Sequence, residues 1–346
     1  MLLERHHAHL IQCLRLLQKF STDLDYTAQD ILVHKDDENP DWMWSTGISD
    51  QLDKYLFLYI TKDTSEQNLV WISDLQENNV SSNMKWIKLI DEWEWTYDIV
   101  ANDGPNFYIK TNKKAPMHQV ITIDLSDPYR QQKILIAEDP HTKLMDIQCL
   151  DGDKFVVLYQ RNVHYEVYVV DMDGQRLLRV AEDYVGAMSV SRCRRSQSWF
   201  FLTIFGFDSP GVIRRYGLPK RFLEGAVEES SQKLESWSVW WKTPIKGIIT
   251  DDFRTSQVWY KSFDGTLVPM YIVRHKDTPF DGTAAAIQWG YGGFNASIGP
   301  FFDPGILTFL QNYKAIFAMP NIRGGGEFGE GWHQGGMRER KLQSQN

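Results

Sequence analysis

Asn321-Ile322-Arg323-Gly324-Gly325-Gly326-Glu327-Phe328-Gly329-Glu330-Gly331-Trp332-His333-Gln334-Gly335-Gly336 decides how this 346-residue chain reads. Three successive glycines follow the apolar run Ala315-Ile316-Phe317-Ala318-Met319, so the backbone turns where a Cβ would not fit. About thirty residues upstream, Gly290-Tyr291-Gly292-Gly293-Phe294-Asn295 repeats the device after Ala284-Ala285-Ala286-Ile287. Two strands, each emptying into a glycine-rich loop, describe the rim of an open α/β sheet, where ligands bind.

Immediately before this region, Gln257-Val258-Trp259-Tyr260, a turn at Asp264-Gly265 and Val268 to Val273 read as a hairpin. Further back the chain repeats itself. Leu69 to Leu75, Gln119 to Leu125, Glu166 to Met172 and Gly211 to Leu218 are variants of one strand ending in a turn, at steps of 50, 47 and 46 residues. The fourth has lost the aspartate that the other three carry. A second strand precedes each: Lys54 to Ile60, Asn106 to Lys110, Lys154 to Gln160 and Ser198 to Ile204. Short strands at a period of 40 to 50 residues are the signature of propeller blades, each of which needs stacked neighbours to bury its faces. A β-sandwich of evenly spaced hairpins is the competing reading.

Tyr291-Gly-Gly-Phe294-Asn295 and Asn321-Ile-Arg-Gly-Gly-Gly-Glu327, at their spacing, resemble the start of the catalytic domain of the prolyl oligopeptidase family, serine peptidases with an α/β-hydrolase fold. The resemblance extends more weakly to Asp30-Ile31-Leu32, Pro40-Asp41-Trp42-Met43 and Phe207-Asp208-Ser209-Pro210-Gly211, which look like that family's blade connections. It implies an incomplete β-propeller followed by the N-terminal part of an α/β-hydrolase domain. Three segments are expected: an unmatched helical segment over 1–26, a partial propeller over 27–246, and the start of the catalytic domain over 247–346.

Peptide-bond hydrolysis needs a nucleophile, a base and a donor for the developing oxyanion. In α/β-hydrolases the nucleophile sits on a G-x-S-x-G elbow. Neither Ser209, two residues after Phe207, nor Ser297, two after Asn295, fits it. The family's acid and histidine would lie beyond the nucleophile, so these residues are expected to be a fragment without the triad and inactive alone. The resemblance makes Tyr291 an oxyanion donor, Phe294 a pocket aromatic that packs on the substrate's proline ring, and Met43 a substrate-pocket methionine. It implies endopeptidase cleavage of short peptides on the carboxyl side of proline, with no metal or organic cofactor. Tyr-Gly-Gly-Phe fits this branch better than the oligopeptidase B branch, which cleaves after basic residues. The alternative in another class is a non-catalytic propeller that binds a partner, although four strands of a mostly parallel sheet would expose an apolar face and an open edge.

Other candidates are weaker. Arg323 reads as a structural clamp beside a glycine turn, and His333 lies between glycine turns with no nucleophile near it in sequence. Gly324-x-Gly326-x-x-Gly329 is formally a dinucleotide fingerprint, but Glu330 to Gly336 is a poor helix, and the fingerprint needs one to hold a pyrophosphate. His6, His7 and His9 lack the Cys or Asp neighbours of a metal site.

Composition agrees with a globular protein, at 42% apolar and 24% charged residues, and an aromatic share of 13% suits β-rich packing. A net charge of −8 argues against nucleic acid, since binding phosphates needs a basic surface. No apolar run approaches a membrane span, and Glu4 and Arg5 interrupt the N-terminal leucines, so neither a membrane helix nor a secretory signal is read. Three scattered cysteines, Cys13, Cys149 and Cys193, suit a reducing compartment. The expectation is a cytoplasmic monomer acting on proline-containing peptides.

Overall fold

The computed structural model describes residues 12–16, 31–49, 53–182, 184, 186–218 and 237–344. The chain divides into two compact units, Met1–Lys113 with Ile121–Lys133, and Lys114–Val120 with Ile134–Asn346.

The helical spacing expected over 1–26 falls mostly outside the described residues, as do His6, His7 and His9. Where that segment is described it is not helical. Gln12–Leu16 forms a strand, β1, paired antiparallel with β2 (Ile31–Asp36). Five residues reading Gln-Cys-Leu-Arg-Leu alternate as well as they wind, and an available partner strand decides between the two.

Four four-stranded antiparallel sheets follow. The first is β3 (Met43–Ile48), β4 (Tyr55–Thr61), β5 (Leu69–Asp74) and β6 (Ile87–Ile90). The second is β7 (Tyr97–Asp103), β8 (Asn106–Thr111), β9 (Gln119–Asp124) and β10 (Lys133–Ile136). The third is β11 (Lys143–Leu150), β12 (Lys154–Arg161), β13 (His164–Asp171) and β14 (Arg176–Val180). The fourth is β15 (Ala187–Val190), β16 (Trp199–Gly206), β17 (Ser209–Gly217) and β18 (Trp237–Lys242). The recurring strand pairs read from the sequence are the second and third strands of each sheet. Every sheet is a simple meander, each strand bonded to its sequence neighbour, which is not the Greek-key order of a sandwich.

The sheets bury their faces against one another. Tyr55, Phe57, Val70 and Ile72 of the first pack with Phe107, Ile109, Ile121 and Ile123 of the second. Val156, Leu158, Val167 and Val169 of the third pack with Met188, Phe200, Leu202 and Ile204 of the fourth. The alternating burial of β16 (Phe200, Leu202 and Ile204 buried) follows from the period-two pattern of a strand.

The last sheet differs in kind. It contains β19 (Phe253–Lys261), β20 (Leu267–His275), β21 (Ala286–Gln288) and β22 (Ile316–Pro320), in the order β19-β20-β22-β21. A mostly parallel sheet is expected from the sequence, but only β21 and β22 run parallel; β19–β20 and β20–β22 are antiparallel. The tight turn at Asp264-Gly265 forces the first pair antiparallel. The second strand of a parallel pair needs a long crossover, here supplied by the helix α1 (Pro304–Tyr313). Asp303 caps α1 by accepting from the Ile306 N–H at 3.0 Å, Pro304 occupies the first helical position, and Leu307 and Leu310 face the sheet. Among the described residues no helix is long and apolar enough to cross a membrane.

Candidate active site

Because β21 and β22 are adjacent and parallel, their carboxyl ends deliver the two glycine loops side by side. The ladder runs on past the strands: the Trp289 N–H donates to the Ala318 carbonyl at 2.9 Å, and Tyr291 bridges Asn321 in parallel register. This closeness is what the glycines permit. A Cβ on Gly292 would stand 2.4 Å from the Arg323 carbonyl oxygen and 2.6 Å from that of Ile322. Gly324 adopts φ +102°, and a Cβ there would meet the Gly292 carbonyl at 2.7 Å.

On the first loop, Phe294 and Asn295 both take left-handed backbone, at φ 54° and 56°. The turn is fixed from behind. The Asn295 N–H donates to the Gly324 carbonyl at 3.2 Å and lies 3.1 Å from His333 Nδ1, and that same Nδ1 is 2.7 Å from the Gly324 oxygen. His333 is therefore spent in the turn, 1% exposed, and its Nε2 meets no partner. It has the contacts of a scaffold residue. Phe294, by contrast, projects into solvent at 72% exposure, while Tyr291 is half-buried on the same loop. Met43 belongs to the other compact unit, where it opens β3 and is 46% exposed.

The second loop is built around buried charges. Arg323, 7% exposed, pairs with Asp264 and donates to Ser262 Oγ at 3.1 Å and Thr266 Oγ1 at 3.3 Å, so it clamps the β19–β20 turn as its sequence setting suggests. The guanidinium, with the Thr266 N–H and hydroxyl, holds the Asp264 carboxyl down to about 2. Glu327 is 1% exposed; its Oε1 accepts from the Ile298 N–H at 3.0 Å and Asn321 Nδ2 at 3.3 Å. Burial pushes the Glu327 carboxyl up, against the lowering pull of these donors. Two lysines complete the arrangement. Lys143 Nζ, on β11, donates to the Gly326 carbonyl at 2.9 Å, and Lys341 Nζ donates to the Gly292 carbonyl. Neither lysine stands out in the sequence, since Lys143 acts across 183 residues and Lys341 lies outside both glycine motifs.

The dinucleotide reading fails on space. A short helix, α2 (Glu330–Gln334), does open after Gly329, where the sequence suggests a poor helix former. Its five residues form little more than one turn. The glycines beneath it are packed against protein, with a Cβ on Gly326 falling 2.4 Å from the Asn295 carbonyl oxygen and one on Gly329 falling 2.8 Å from that of Pro116. No room is left for a pyrophosphate. Beside this loop, Phe328 shares a cavity of about 340 Å³ with Met117, His141 and Arg161, whose guanidinium is already paired with Asp139 at 3.1 Å. No cluster of three or more metal-ligating side chains occurs among the described residues.

Comparison with known proteins identifies the propeller part of the chain. Residues 25–224 match the family model described as prolyl oligopeptidase, N-terminal beta-propeller domain, which makes the antiparallel sheets propeller blades. The chain is 48% identical over 314 residues to prolyl oligopeptidase A of Amanita bisporigera, covering 91% of this chain and 40% of that protein. It is 47% identical to the dual function macrocyclase-peptidase POPB of Galerina marginata, covering 91% of this chain and 41% of that one. A solved structure of prolyl oligopeptidase B from Galerina marginata, bound to a 25mer macrocyclization substrate, superposes with a TM-score of 0.84 at 47% identity, covering 91% of this chain and 42% of that one. The chain thus spans about 40% of the length of the curated relatives it matches. On the propeller match and the shared sequence, it belongs to the prolyl oligopeptidase family.

Proposed function

We propose that these residues form part of a serine-type endopeptidase that hydrolyses short peptides on the carboxyl side of proline. In this reading residues 27–246 are propeller and residues 247–346 begin an α/β-hydrolase domain. The observation that carries it is the placing of Tyr291-Gly-Gly-Phe294 beside Asn321 to Gly329 at the carboxyl ends of two parallel strands, the position from which α/β-hydrolases draw an oxyanion donor. Tyr291 supplies that donor through its hydroxyl. Phe294 offers an exposed ring to the flat, apolar face of proline, while Met43 is carried as a substrate-pocket methionine on the family resemblance alone. An aromatic at this place, rather than a carboxylate, favours proline over a basic residue.

Relatives of nearly equal identity bear the names of a prolyl oligopeptidase and of a dual function macrocyclase-peptidase, so peptidase activity is common to both names. The nucleophile, acid and base of such an enzyme are not among these 346 residues, and a polypeptide of these residues alone is expected to be inactive. The scarcity and wide spacing of the cysteines in the sequence suit the cytoplasm. The test is hydrolysis of a fluorogenic proline-containing peptide by the native-length protein and its Tyr291→Phe variant. Loss of one oxyanion donor should lower kcat by about 10²-fold or more. An unchanged kcat would remove Tyr291 from the mechanism.

A further inference from the structure

The loop that carries Tyr291 is held by the second glycine block and the turn after it at several points. Three of the bonds use backbone N–H groups or an imidazole: Asn295 N–H to the Gly324 carbonyl, His333 Nδ1 on that same carbonyl, and Ile298 N–H to Glu327. One further bond is different in kind, because its donor is an ammonium. Lys341, the first residue of a short helix, α3 (Lys341–Ser344), brings an ammonium to the Gly292 carbonyl. Were Gly293 to carry a Cβ, it would lie 3.9 Å from Lys341 Nζ and 3.9 Å from the Tyr291 hydroxyl. The cation and the phenol therefore flank one glycine.

Resting on the reading of Tyr291 as oxyanion donor, we infer that Lys341 is a positioning residue for that hydroxyl. Gly292-Gly293 is the least restrained dipeptide a chain can offer, and fixing it costs more conformational entropy than any other pair. A charge-assisted bond from Lys341 to the Gly292 carbonyl holds this dipeptide on the Tyr291 side, as Asn295 and His333 hold it on the Phe294 side. A donor held before the reaction need not be gathered during it, and preorganisation of that kind is where oxyanion sites gain their effect. The ammonium also places positive charge beside the group that would face the developing oxyanion.

Two substitutions test this. Lys341→Met keeps the stem and removes the charge, whereas Lys341→Arg keeps a cation and its donors. In the 346-residue chain, Lys341→Met should speed amide hydrogen exchange at Gly293 to Asn295 about tenfold, while amides of β20 and β22 stay unchanged. In the native-length protein it should lower kcat about tenfold with KM within about twofold. Lys341→Arg should recover most of both effects. Unaltered exchange in Lys341→Met, unaltered kcat, or failure of arginine to rescue would each overturn the assignment. Exchange is read without turnover, so a failure here is told apart from a failure of Tyr291→Phe to lower kcat, which would overturn the oxyanion reading instead.

Discussion

Arg323 is ion-paired with Asp264, 59 residues earlier in the chain, and the pair ties the glycine block to the tip of the β19–β20 hairpin. The Asp264 carboxyl sits at about 2 in the folded chain, below the ordinary value near 4. A lowered folded value stabilises at pH above the ordinary value, and that stabilisation is lost as pH falls from about 4 towards 2. Arg323→Met should therefore lower the Tm by a few degrees at pH 6, and the gap from the parent should narrow by pH 3. Thermal melts at the two pH values check this; a gap of equal size at both would contradict the pairing.

Glu327 gives the opposite dependence. Burial raises its folded value, so the unfolded chain releases the proton first and stability falls as pH rises above the ordinary carboxylate range. Glu327→Gln keeps an acceptor for the Ile298 N–H without the buried charge and should be neutral or stabilising at pH 8. Glu327→Leu leaves that N–H and Asn321 Nδ2 without their acceptor and should cost about 1–3 kcal/mol. Denaturant unfolding of both variants at pH 5 and pH 8 distinguishes them, and a Gln variant less stable at pH 8 than the parent would refute this reading.

Gly292→Ala should displace the Tyr291 loop, because the new methyl would stand 2.4 Å from the Arg323 carbonyl oxygen and neither backbone can yield cheaply. Faster proteolysis or hydrogen exchange confined to 290–297 is the expected result. An unperturbed loop would mean that the two glycine segments are not packed as described.

Phe294→Ala removes an exposed ring and should leave the Tm within about 1 °C, while raising KM for a proline-containing peptide about tenfold in the native-length protein. Steady-state kinetics together with a melt separate the two effects. A destabilised variant with unchanged KM would make Phe294 a packing residue.

What the sequence discloses follows the range of the forces involved. The second and third strands of each blade are local, apolar and closed by similar turns, so Leu69–Asp74 and Gln119–Asp124 are recognisable without a partner. The outer strand Ile87–Ile90 is four residues long and earns its place only through pairing with Val70 to Ile72. Gln12–Leu16 carries a pattern that suits either geometry until Ile31–Asp36 is beside it. In the site, the glycine loops announce themselves because close backbone approach demands glycine, and Arg323 is legible as a clamp for the same reason. Lys143 and Lys341 are not, since a lysine that holds a distant carbonyl has the same local signature as one in solvent.

The most direct test of the account is the hydrolysis of two fluorogenic peptides that differ only in having proline or arginine before the scissile bond, by the native-length protein. Cleavage of the proline peptide with a kcat/KM at least about 10²-fold above that of the arginine peptide is the expected result, since a pocket built to fit one side chain rejects the other. Cleavage confined to the arginine peptide, or cleavage of neither, would contradict it.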